Sequence, residues 1–66
     1  MADDAITSWE QRIANEFLEC PGLRLTVAQA ARFWGLDRPT VEMLLDQLVR
    51  RAMLVRTREG LFIGRT

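Results

Sequence analysis

Residues 26–64, TVAQAARFWGLDRPTVEMLLDQLVRRAMLVRTREGLFIG, decide the fold, because the apolar spacing changes its period along them. Thr26 and Gln29 have the spacing of a capping box, and Val27, Ala30, Ala31 and Trp34 mark the inward side of a short helix that Gly35 ends. Leu36 fills the turn. Asp37 suits the N-cap of a following helix, and Pro39 is tolerated in its first turn, where a missing N–H breaks no helical bond. Val41, Leu44, Leu45, Leu48 and Ala52 then recur at helical intervals as one apolar face. Glu42, Met43, Asp46, Gln47 and Arg50 form the opposite face. Beyond Met53, the runs Leu54-Val55-Arg56-Thr57-Arg58 and Leu61-Phe62-Ile63-Gly64 flank Glu59-Gly60, which predicts a β-hairpin.

Working toward the N-terminus, Leu23-Arg24-Leu25 alternates apolar and charged residues over a length sufficient for a short strand. Pro21-Gly22 closes a preceding helix, whose inward stripe is Ile6, Trp9, Ile13, Phe17 and Cys20. Thr7 with Glu10 has capping-box spacing, and Ser8 with Gln11 repeats it one residue later, so the helix is expected to start there. The expected helices span residues 8–19, 27–34 and 38–51, with a hairpin over 54–64. Residues 1–7 are then a short tail and 8–66 a single domain. The expected core is Ile13, Phe17, Trp34, Leu36, Val41, Leu45 and Leu48, with Cys20 a small buried hydrophobe.

A chain of 66 residues lies near the lower limit at which an apolar core alone sustains a fold. Its 48% hydrophobic and 27% charged residues are those of a globular domain rather than a disordered tail. No apolar run approaches the roughly 20 residues that cross a bilayer, and the acidic start MADDAITS is unlike a secretory signal, so a cytoplasmic location is expected. With no histidine, no lysine, one cysteine and no glycine-rich phosphate loop, the chain offers neither a nucleophile–base pair nor a metal ligand set. The expectation is a non-enzyme without cofactor or metal. Formal net charge is zero, but acidic residues concentrate before residue 20 and arginines after residue 50. All nine basic residues are arginine, which suits bidentate phosphate or guanine contacts and which codon bias also produces.

Residues 8–64 resemble the winged helix-turn-helix domains of bacterial transcription regulators, including short stand-alone proteins that are essentially one such domain. The resemblance rests on Leu25-Thr26, Ala31, Gly35-Leu36, Thr40-Val41, Leu44-Leu45, Leu48 and the hairpin from Met53-Leu54 to Gly60. It implies a mainly α fold with a small β-hairpin, namely a three-helix bundle plus a β wing. It also implies a small transcriptional regulator whose third helix enters the major groove of double-stranded DNA. Arg38, Thr40 and Gln47 would then contact phosphates or bases, with Arg56 and Arg58 of the wing on the backbone. Glu42 and Asp46 would be repelled by phosphates, although a carboxylate can accept from cytosine N4. Wing arginines also serve simply to keep an edge strand from pairing.

The alternative is a protein-interaction module, a homodimer or adaptor, using the same surface without strong DNA binding. Its candidate residues are Phe33, Met43 and Trp9. Phe33 and Trp34 are adjacent and cannot both face inward, so Phe33 either forms an outward apolar patch with Met43 or folds over Ala28 or Ala30.

Overall fold

The computed structural model describes the backbone of residues 2–65 and the side chains of residues 8–65. Among these residues the order is α1 (Ala2–Glu19), β1 (Arg24–Leu25), α2 (Val27–Trp34), α3 (Arg38–Arg50), β2 (Leu54–Arg56) and β3 (Phe62–Gly64). The strands form an antiparallel sheet in the order β1-β3-β2, with Arg24 and Val55 opposite Ile63, and Leu25 and Arg56 opposite Phe62. Three helices with a small three-stranded antiparallel sheet are compatible with a winged-helix-like fold.

The local signals between residues 26 and 40 act as the sequence indicates. The Thr26 N–H donates to Gln29 Oε1 at 3.0 Å and the Gln29 N–H to Thr26 Oγ1 at 3.1 Å, which completes the capping box of α2. Gly35 ends that helix in the left-handed region at φ 68°, where a side chain would be strained. Asp37 caps α3 through the Thr40 N–H. The hairpin tip is closed by the Gly60 N–H donating to the Thr57 carbonyl at 3.1 Å, with Gly60 at φ 85°.

Three expectations fail at helix ends. Helix α1 begins at Ala2 rather than near Ser8, so residues read as a tail are helical backbone and Glu10 lies mid-helix, not in a capping box. The side chains of Ile6 and Thr7 lie outside the described residues. Cys20 is exposed, because α1 stops at Glu19 and the Cys20 carbonyl accepts from the Leu23 N–H at 2.9 Å across the Pro21-Gly22 turn.

Ala52 likewise leaves the apolar face. The chain reverses after α3 with the Met53 N–H donating to the Leu48 carbonyl at 2.9 Å and the Ala52 N–H to the Val49 carbonyl at 3.0 Å. This is a Schellman motif, and it holds Ala52 at φ 61° in a position glycine normally occupies.

One core joins all the elements: Ile13, Ala14 and Phe17 from α1, Ala30 and Ala31 from α2, Val41, Leu44, Leu45 and Leu48 from α3, and Leu54 and Phe62 from the sheet. Trp34 and Leu36 pack against it half-buried, with the Trp34 ring centroid 6.5 Å from that of Phe17. Among the described residues a single charged side chain is buried in this region. Glu10 is 3% exposed, and its Oε1 lies 3.4 Å from Nη1 of Arg51.

Candidate functional site

Helix α3 is held by Val41, Leu44, Leu45 and Leu48, none more than 1% exposed, so its other face is presented to solvent by a rigid support. That face forms a shallow groove lined by Pro39, Glu42, Met43, Asp46, Gln47 and Arg50. Arg38 stands exposed at its N-terminal end and Arg50 at its C-terminal end. Glu10–Arg51 is the one ion pair among the described residues, so Arg38, Arg50, Glu42 and Asp46 are all free of ionic partners there.

The residues expected to touch DNA differ in how committed they already are. Thr40 donates its hydroxyl proton to Asp37 Oδ1 at 2.8 Å and is half-buried, leaving oxygen lone pairs that a phosphate does not accept. These same hydrogen bonds, from the Thr40 hydroxyl first and its N–H second, hold the Asp37 carboxyl below its ordinary 3.8. Gln47 is half-buried in the α3 groove. Arg56 lies across the sheet from Phe62, and its guanidinium carbon is 5.5 Å from the Phe62 ring centroid, so it covers a fully buried aromatic. Arg58 is exposed in the hairpin loop.

The two possibilities for Phe33 are separated by its exposure of 58%: it points outward, edge-on to Trp34 at 5.1 Å and 77°. It lines a second groove with Arg24, Leu25, Gln29 and Arg32, whereas Met43 belongs to the α3 groove, and the two share no lining residue. Sequence reading singled out Phe33 without its basic companions. The signal was available in the i, i+3, i+4 relation of Gln29, Arg32 and Phe33, which puts them on one helix face. Trp9 is half-buried against the core, with the Arg12 guanidinium carbon 5.1 Å above its ring.

No protein-family model, curated protein or solved structure matches the chain. Among the described residues no helix is long and apolar enough to cross a membrane, and no three acidic or cysteine side chains gather as a metal site.

Proposed function

We propose that the chain is a winged helix that binds duplex DNA weakly and without a catalytic step, as a small regulator does, with α3 as the inserted helix. The observation that carries this reading is the display of α3. Its inner face is locked in the core while its outer face is exposed, with Arg38 and Arg50, unpaired among the described residues, at its two ends. Arg58 in the hairpin loop supplies a third free guanidinium. Thr40 and Arg56 contribute less than their residue types suggest, since each is engaged within the fold.

Three phosphate contacts give a log–log salt slope of about −3, from roughly −0.9 per neutralised phosphate. The test is a fluorescence-anisotropy titration of a labelled random duplex at two salt concentrations. Arg38→Gln with Arg58→Gln should flatten the slope by about 2. Absence of binding by the unmodified chain at low salt would refute the reading.

A second reading, a protein-binding surface, is favoured by Glu42, Met43 and Asp46 at the middle of the same groove. Glu42→Gln with Asp46→Asn separates the two readings. Relief of phosphate repulsion tightens DNA binding if α3 enters the groove, and DNA affinity stays negligible if α3 meets protein instead.

A further inference from the structure

We propose that the α3 groove is also the docking site for the Arg24–Arg32–Phe33 groove of a second copy of this chain, and that two copies close into a dimer with this contact made twice. The two grooves are complementary in charge. Glu42 and Asp46 line the first, with Arg50 at its C-terminal end, and Arg24 and Arg32 line the second, which contains no acidic residue. None of these four side chains has an ionic partner among the described residues. The second groove alone therefore holds two like charges near one another, and the first carries two carboxylates against the single Arg50, so docking brings opposite charges together.

The apolar parts match as well. Met43 is 38% exposed in the acidic groove and Phe33 58% exposed in the basic one, and a thioether against an aromatic ring is a favourable contact. Glu42 and Asp46 are one helical turn apart, about 6 Å along α3, and guanidinium groups on flexible stems adapt to that separation.

Closure follows from where the grooves lie. One is built on β1 and α2 and the other on α3, and in a two-fold pair the acidic groove of each copy sits on the basic groove of the other. A single such contact would leave one groove of each kind free at the ends and would propagate. A standard interface takes about 800 Å² from each partner, roughly a sixth of the 4750 Å² surface of this chain. With zero formal charge on the whole chain, no net repulsion opposes pairing. The proposal goes beyond DNA binding and does not depend on it. If both hold, the second copy and the duplex compete for α3.

Sedimentation velocity of the full chain at low salt, over a range of concentrations, tests it. The expected result is a monomer–dimer equilibrium that salt weakens. Arg24→Glu with Arg32→Glu should give a monomer, because both grooves are then acidic. Glu42→Arg with Asp46→Arg should also give a monomer, because both are then basic. An equimolar mixture of the two variants should return to a one-to-one dimer, since both contacts are restored between unlike partners. Circular dichroism confirms that each variant is folded. Should either charge-reversed variant not fold, Arg24→Gln with Arg32→Gln replaces it and should lose the dimer. A wild-type monomer at every concentration, variants that still pair with themselves, a mixture that stays monomeric, or growth past the dimer would each overturn the proposal.

Discussion

Arg51→Met should destabilise the protein far more than Glu10→Leu, although both remove the same ion pair. The Glu10 side chain is 4% exposed, its Oε1 lies 3.4 Å from the Arg51 guanidinium, and its Oε2 has no hydrogen-bond partner. At that separation the attraction is about 5 kcal/mol for an effective dielectric constant near 20. Arg51 is 63% exposed, so solvent screens the attraction below that figure. Against it stand the desolvation of the carboxylate, several kcal/mol, and an unsatisfied oxygen costing about 1–3 kcal/mol. The opposing terms nearly cancel. Removing Arg51 leaves the unfavourable terms alone, so a loss of about 2–3 kcal/mol is expected, below the 3–5 kcal/mol of a fully buried pair. Glu10→Leu removes both sides of the balance and should change stability by less than about 1 kcal/mol.

Thermal unfolding followed by circular dichroism resolves the difference. In a domain of this size 1 kcal/mol moves Tm by roughly 4–8 °C, so Arg51→Met should lose about 10–20 °C and Glu10→Leu no more than about 8 °C. Equal losses for the two variants would refute the reasoning, because the carboxylate would then be stabilising in itself. An unchanged Tm for Arg51→Met would refute it from the other side.

Ala52→Gly should raise stability by about 0.5–1 kcal/mol, read as a higher urea midpoint, because it relieves a left-handed alanine at the end of α3. Leu48→Ala should lose about 2–5 kcal/mol. Out of a total stability of order 3–10 kcal/mol at this length, the loss is read as a lower urea midpoint followed by circular dichroism. The Asp37 carboxyl is depressed in the folded state, so its contribution is complete above its ordinary 3.8 and disappears as pH falls through its lower folded value. The Tm difference between wild type and Asp37→Asn should therefore shrink below that pH, and a constant difference would contradict the assignment. Cys20 should react with a thiol reagent in the native protein as fast as an exposed model thiol, whereas protection until unfolding would restore the buried reading.

Features that depend on neighbours within a few residues were legible in the sequence. The capping pair Thr26–Gln29, the Asp37 cap and the Gly35 stop each satisfy backbone groups of their own turn, so residue type and spacing suffice to find them. Capping-box spacing at Thr7–Glu10 misled because an i, i+3 pair is equally common inside a helix. Only the preceding run, Ala2 to Ala5 with two acidic residues, distinguishes the cases. The periodicity of α3 failed at Ala52 for a related reason. The usual signal for a left-handed reversal is glycine, and here alanine accepts the strain because the two Schellman bonds are formed. The burial of Glu10 had no local signal, since its partner Arg51 is distant in sequence and only the fold brings it near.

At the candidate site, the chemical type of each side chain was legible and its prior engagement was not. Thr40 and Arg56 read as free donors. In the folded chain one donates to the cap three residues before it, and the other rests on a ring that only the sheet register brings opposite. A donor already satisfied gains little from a phosphate, because exchange of one hydrogen bond for another carries only a small net free energy. Free guanidinium groups retain their full attraction, so under the proposed DNA-binding reading the contacts fall to Arg38, Arg50 and Arg58 rather than to Thr40 and Arg56. The same distinction marks Glu42 and Asp46 as reactive toward a cationic partner rather than as inert solvated charge, since neither is neutralised by Arg50 on their own helix face. Whatever covers α3 must meet those two carboxylates. Arg24 and Arg32 of another copy do so directly, whereas phosphates would have to be held by the arginines at the ends of the groove.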